Sequence, residues 1–228
     1  MPAKSEICGV LFDLDGTLLD TAPDLIFAVN SALREVGLPE SSAAELTPLI
    51  SRGASTMLRR GLGGSMEPFE PLLERMLDLY ESNVAVHTRL FEGMDRVLDS
   101  LDRASIPWGI VTNKLSRFTD PLIRALRLDH RTPCVISGDT TRERKPHPLP
   151  LFEACRRITR DPAACLFVGD ALSDVEAGRR AGMSTLAAVY GYLADDDQPE
   201  QWAADDLIGH PEELIPWLTG AARSAAPS

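Results

Sequence analysis

The chain has 228 residues, of which 44% are hydrophobic, 25% charged and 6% aromatic, a balance that excludes disordered and fibrous classes. A formal net charge of -11 disfavours a phosphate-backbone partner, so no nucleic acid is expected. No run approaches the roughly 20 apolar residues of a membrane span and no signal-peptide core opens the chain, so a cytoplasmic protein without a membrane partner is expected, its scattered Cys8, Cys134, Cys155 and Cys165 reduced.

In chain order, Ile7–Phe12 reads as a short buried strand. The next strand candidate lies nearly a hundred residues later, and the interval has helical spacing with no convincing strand. Leu25, Ile26, Val29, Leu33 and Val36 define an amphipathic helix that starts near Thr21-Ala22-Pro23 and stops at Gly37. Ala54, Met57 and Leu58 predict a short helix ended by Gly61; Phe69, Leu72, Leu73, Met76, Tyr80 and Val84 predict a longer one. Residues 20–90 are therefore expected to form a small helical cap, with 1–19 and 91–228 forming the main domain.

Met94 to Ala104 returns to the main domain as a helix. Strand candidates at 108–112, 134–137, 165–169 and 185–189, with a weaker one at 206–208, then alternate with helical stripes carrying Phe118, Leu122, Ile123 and Leu126, and Leu151, Phe152, Cys155 and Ile158. This alternation predicts an α/β fold with a Rossmann-like parallel sheet flanked by helices. The Ala/Ser-rich end after Gly220 is expected to fray.

In an open parallel sheet the ligand site lies beyond the carboxyl ends of the strands. The first strand ends in Asp13-Leu14-Asp15-Gly16-Thr17, and the run Gly169-Asp170-Ala171-Leu172-Ser173-Asp174 ends another. Asp13, Asp15, Asp170 and Asp174 thus converge, and carboxylates brought that close need a cation to stay ionised together. With only oxygen ligands at hand, the cation expected is Mg²⁺. Thr112-Asn113-Lys114 ends a third strand and Lys145-Pro146 follows a fourth; their hydroxyl, amide and ammonium groups can receive phosphoryl oxygens.

Asp13-Leu14-Asp15-Gly16-Thr17, Val111-Thr112-Asn113, Lys145-Pro146 and Gly169-Asp170 with Asp174 resemble the four motifs of the haloacid dehalogenase superfamily, over residues 7 to about 190. A helical insertion after the first motif is that superfamily's type 1 cap, and the chain is similar to the phosphoglycolate phosphatase group. Trp108–Lys114, Tyr190-Gly191-Tyr192, Asp195-Asp196-Asp197 and Trp202 look like bacterial members that include N-acetylmuramic acid 6-phosphate phosphatases.

The resemblance implies a Mg²⁺-dependent phosphomonoesterase in which Asp13 is the nucleophile and Asp15 the general acid and base. It implies that Mg²⁺ is held by Asp13, the Asp15 backbone carbonyl and Asp170. It also implies phosphate contacts from Thr112, Asn113 and Lys145, with Asp174 and Gly16 in support. Arg52, between two helical segments of the cap, is the candidate for meeting a substrate carboxylate or hydroxyl. The expected partner is a small phosphorylated metabolite, 2-phosphoglycolate or a sugar phosphate such as N-acetylmuramic acid 6-phosphate, and the expected assembly a monomer or homodimer.

Alternatives separate on chemistry. Halide departs without a proton, so Asp15 speaks against dehalogenation. Phosphonate cleavage in this superfamily uses a cap lysine, and the chain's lysines are Lys4, Lys114 and Lys145, none in the cap. A phosphomutase would share the aspartyl-phosphate and stays open. A receiver-type phospho-switch also has an acidic pocket with a Thr or Ser and a Lys, but the inserted helices and Asp15 argue against it.

Overall fold

The apolar run at the start of the chain forms β1 (Gly9–Phe12), fully buried, as expected of a central parallel strand whose both faces are covered. The computed structural model describes residues 7–65 and 68–218. After β1 come β2 (Leu19–Asp20), α1 (Ala22–Glu35), α2 (Ala43–Leu46), a 3-10 turn (Thr47–Arg52), α3 (Ala54–Leu62), α4 (Phe69–Ser82), β3 (Arg89–Leu90) and α5 (Met94–Arg103). The chain then alternates: β4 (Trp108–Val111), α6 (Ser116–Ala125), β5 (Val135–Ile136), α7 (Leu149–Ile158), β6 (Cys165–Gly169), α8 (Leu172–Arg180), β7 (Ser184–Ala188), β8 (Asp206–Ile208) and α9 (Ile215–Leu218).

Six strands form one parallel sheet in the order β5-β4-β1-β6-β7-β8. Leu11 of β1 lies opposite Gly109 on one side and Phe167 on the other. The chain builds outward from β1 through β4 and β5, then crosses back to β6 on the opposite side. Connections at the carboxyl ends of β1, β4 and β6 therefore diverge, which opens a crevice there. The Rossmann-like α/β class is as the sequence predicts.

Several expectations need correction. The interval after β1 does contain strand: β2 and β3 pair antiparallel, Leu19 with Leu90 and Asp20 with Arg89, and this ribbon carries the chain out to helices α1–α4 and back. Two-residue strands are too short to show alternation. Next, α3 runs through Gly61 and ends at Gly63, which takes the left-handed conformation at φ 55°. A Cβ at Gly61 would stand 2.8 Å from Leu33 Cδ1, so this glycine permits the close packing of α3 on α1 and does not stop the helix.

Helices α1–α4 share an apolar cluster of their own, including Leu25, Val29, Leu33, Leu46, Met57, Leu72, Met76 and Tyr80, which Phe118 and Tyr192 join from the sheet side. In α7 the buried positions are Leu151, Ala154, Cys155 and Ile158, whereas Phe152, expected in the core stripe, is 42% exposed. The root of the insertion is fastened by buried Asp24 near the start of α1. Its carboxylate accepts from the backbone N–H of His87 and Thr88 and from the Thr88 hydroxyl (2.7–3.1 Å). Tyr192 adds a second tie: its hydroxyl donates to Asp20 (2.6 Å) and accepts from the Ala22 N–H (2.9 Å). The expected fraying after Gly220 lies outside the described residues.

Candidate active site

Asp13 follows β1 directly, its N–H donating to the Val168 carbonyl of β6 (2.9 Å), so the carboxylate stands in the crevice between the diverging connections. The chain then folds around the Leu14 carbonyl, which accepts from the N–H of Thr17, Leu18 and Leu19 (2.9–3.4 Å). Leu14 is fully buried, while Asp13 and Asp15 both line a cavity of about 470 Å³ under the helical insertion. An acid-apolar-acid triplet after a buried strand thus anchors the loop by its middle residue and presents both acids to one space.

Lys145 Nζ lies 2.5 Å from Asp13 Oδ1 and 2.7 Å from Asp174 Oδ1, all three groups buried. Burial opposes its charge, but Asp13 and Asp174 outweigh burial and hold the ammonium above its ordinary pKa. Asp174 is in turn fixed at the start of α8, where its Oδ2 accepts from the Ala171 N–H (3.1 Å). Asn113 exchanges two 3.0 Å hydrogen bonds with the backbone of Lys145, so its side-chain amide braces the loop that carries this lysine. The Thr112 hydroxyl accepts from the Lys114 N–H (3.1 Å). Both Thr112 and Asn113 line the cavity beside Lys145.

Lys114, grouped by sequence with the phosphate donors, is drawn elsewhere. Its Nζ donates to Asp15 Oδ1 at 2.8 Å and sits 4.7 Å from the centre of the Tyr80 ring. Thr21 donates to the same Asp15 oxygen at 2.6 Å, and among the described residues Oδ2 takes no hydrogen bond. Asp15 is thereby oriented with one carboxylate oxygen committed and the other available to exchange a proton.

Asp170 is almost wholly buried, and its partners come from distant parts of the chain. Oδ2 accepts from the Tyr192 N–H (2.9 Å) and from the hydroxyl of Ser51 in the insertion (2.8 Å), and Oδ1 accepts from Thr17 (3.3 Å). These contacts span up to 153 positions of sequence, so no local pattern announces them. Burial pushes the Asp170 carboxyl well above the usual range, with Asp13 and Asp174 adding to it. The same burial pushes Asp13 up to about 7, against the pull of Lys145.

Carboxylate oxygens of Asp13, Asp170 and Asp174 all lie within 4.8 Å of one another. Among the described residues Asp13, Asp15, Asp170 and Asp174 face only Lys114 and Lys145 in direct ion pairs, so with all four carboxylates ionised, as a bound cation would hold them, the cluster would carry an excess of two negative charges. Gly16, with φ 81°, lets the backbone approach so closely that a Cβ there would come within 2.0 Å of Asp170 Oδ2. An oxygen-only, buried, doubly negative cradle fits a hard divalent cation.

Arg52 lies outside the cavity lining. Its guanidinium pairs with Asp196 (2.5 Å) and Asp197 (3.4 Å), joining the insertion to the loop before β8. A second such link runs from Arg117 on α6 to Asp78 and Glu81 of α4 (3.0 and 2.6 Å). The upper wall of the cavity is apolar, with Leu25, Ile50, Met57, Leu73, Tyr80 and Phe118 among its residues.

A family model described as haloacid dehalogenase-like hydrolase matches residues 10–188, which span the acid triplet, the Thr112 and Lys145 loops and Asp170. The chain belongs to the haloacid dehalogenase-like hydrolases. Within that family it is 44% identical over 209 residues to an N-acetylmuramic acid 6-phosphate phosphatase of Pseudomonas putida, covering 90% of this chain and 93% of the relative. It is 42% identical over 206 residues to a phosphoglycolate phosphatase of Xanthomonas campestris pv. campestris, with the same coverage. Among solved structures, a predicted phosphoglycolate phosphatase from Haemophilus somnus superposes with a TM-score of 0.81 at 27% identity, covering 93% of this chain and 99% of the other. Among the described residues of this hydrolase, no helix is long and apolar enough to cross a membrane.

Proposed function

We propose that this hydrolase is a phosphomonoesterase that moves the phosphoryl group of a small phosphorylated metabolite onto Asp13 and then to water. The observation that carries the reading is that Asp13 and Asp15 open into one cavity with Thr112, Asn113 and Lys145 while each acid is oriented by its own lysine. The Asp13 carboxylate attacks phosphorus, the ester P–O bond breaks, and protonated Asp15 gives its proton to the departing alkoxide. Water then attacks the aspartyl-phosphate, Asp15 takes a proton from it, and Asp13 leaves as carboxylate. Lys145 and the Thr112 hydroxyl bind phosphoryl oxygens, and Asp174 and Asn113 keep Lys145 in place. The insertion, tied down by Ser51, Arg52 and Arg117, serves as the cap that excludes water from the transfer.

Asp13, the Asp15 carbonyl and Asp170 would hold Mg²⁺, which supplies positive charge to the transferring group when bound. Support comes from the excess negative charge of the cradle, the oxygen-only donors and the raised Asp13 and Asp170. Mg²⁺ should therefore stabilise the protein as well as enable multiple turnovers of p-nitrophenyl phosphate. At a hundredfold excess over Kd the gain is about 2.7 kcal/mol, or about 5–10 °C in Tm for a chain of this length. Thermal melts with Mg²⁺ and with EDTA check this, and the shift should shrink in Asp170→Asn. An unchanged Tm together with full turnover in EDTA would overturn the assignment of the cradle to a metal.

The relatives are phosphatases of two different esters, phosphoglycolate and N-acetylmuramic acid 6-phosphate. A cavity of about 470 Å³ with an apolar upper wall exceeds what a two-carbon acid can fill and favours the bulkier sugar phosphate.

A further inference from the structure

We propose that Arg144 recognises a carboxylate on the alcohol portion of the substrate, a role that rests on the phosphatase reading above and deepens it. The cations that line the cavity are Lys114, Arg144 and Lys145. Two of them are already spent: Lys145 lies between Asp13 and Asp174, and Lys114 is on Asp15. Arg144 has no acidic partner within ion-pair distance among the described residues.

Its mounting is nonetheless firm. Arg144 Nε donates to the Gly138 carbonyl at 2.6 Å, and its own carbonyl accepts from the His147 N–H at 2.8 Å. Gly138 is itself wedged: its N–H donates to the Lys114 carbonyl (2.7 Å), and a Cβ there would fall 2.2 Å from the Asn113 carbonyl oxygen. The guanidinium is thus anchored through Nε, and its terminal nitrogens remain as a two-pronged donor at the exposed rim, one residue before the lysine that binds phosphate. That fork matches a carboxylate in the bidentate manner that an ammonium cannot.

Electrostatics supply the need for it. A substrate anion beyond the phosphate enters a cavity whose floor carries Asp13, Asp15 and Asp174. A carboxylate there is repelled unless a cation meets it, and filling the cavity removes the water that would otherwise screen the pair. The other candidate, Arg52, has its guanidinium on Asp196 and Asp197 and lies outside the cavity lining. The substrate class is then a phosphate ester of a hydroxy acid, with the carboxylate at the Arg144 rim and the rest of the alcohol against Leu73, Tyr80 and Phe118.

Two matched pairs isolate the carboxylate: N-acetylmuramic acid 6-phosphate against N-acetylglucosamine 6-phosphate, and 2-phosphoglycolate against ethyl phosphate. The readout is the ratio of kcat/KM for the acid to that for its carboxylate-free counterpart, in wild type, Arg144→Met, Arg144→Lys and Arg52→Gln. The wild-type ratio should exceed one in at least one pair. Arg144→Met should lower that ratio by about ten- to hundredfold, the scale of a charge-assisted hydrogen bond, mainly through KM. Arg144→Lys should retain part of it, and Arg52→Gln should leave the ratio alone. A ratio near one in wild type, a ratio unmoved in Arg144→Met, or an equal fall in Arg52→Gln would overturn the assignment. Turnover of p-nitrophenyl phosphate by wild type with Mg²⁺ reports on the phosphatase reading separately; its absence would sink that reading and this one with it.

Discussion

Asp13→Asn should reduce steady-state phosphate release by about ten-thousand-fold or more, the scale on which removal of an enzyme nucleophile falls. The amide keeps the size and the Lys145-accepting oxygen of the carboxylate but cannot attack phosphorus. Because the substitution also removes one charge from a buried, overcrowded acid cluster, the fold should persist and thermal stability in metal-free buffer should hold or rise. Circular dichroism and a melting curve would establish the fold, and colorimetric phosphate release over long incubations the rate. Activity within tenfold of wild type would contradict Asp13 as nucleophile.

The second large effect belongs to Asp15, and its size should depend on the leaving group. An alkyl alkoxide is a strong base that must be protonated as it departs, whereas p-nitrophenolate leaves unaided. Asp15→Asn should therefore cost about a hundred- to ten-thousand-fold on sugar phosphates and about tenfold or less on p-nitrophenyl phosphate when phosphoryl transfer limits the rate. The structure gives a reason to expect a clean result. Lys114 and Thr21 hold Oδ1, and an amide oxygen at that position can still accept from both, so orientation survives while proton exchange at the other atom is lost. Equal losses on both esters would show that Asp15 acts by position or charge and not as an acid.

Much of this site is legible in sequence because its chemistry sits at strand ends. A buried strand announces itself by a continuous apolar run, and Asp13, Thr112 and Asp170 each follow one directly. Crossover topology then brings those ends together, so the convergence of four acids and a lysine can be read before any coordinate is known. The parallel sheet is legible for the same reason, its strands being continuous apolar runs, and the main helices of the insertion are legible because their apolar positions recur at three and four.

Pairings that close the site have no such signature. Ser51 reaches Asp170 and Tyr192 reaches Asp20 across 119 and 172 positions, and each is a residue type that is usually unremarkable in a loop. Asp196 and Arg52 are both visible as charges, yet only the fold shows that they neutralise each other and leave Arg144 as the cavity-lining cation without an ion pair among the described residues. Gly61 shows the same limit for the backbone, since a glycine in a helical pattern reads as a stop unless its neighbour across the interface, here Leu33, is known. Local pattern thus locates the acids and the lysine that gather at the strand ends, and their orientation rests in part on contacts between the insertion and the sheet.

Double displacement through Asp13 makes a claim about phosphorus itself, and the stereochemical course of hydrolysis tests it most directly. With an isotopically chiral phosphate ester turned over in labelled water, attack by Asp13 and then by water inverts phosphorus twice, so the inorganic phosphate formed should show net retention. Net inversion would mean that water attacks the ester in a single step, and would contradict the aspartyl-phosphate account.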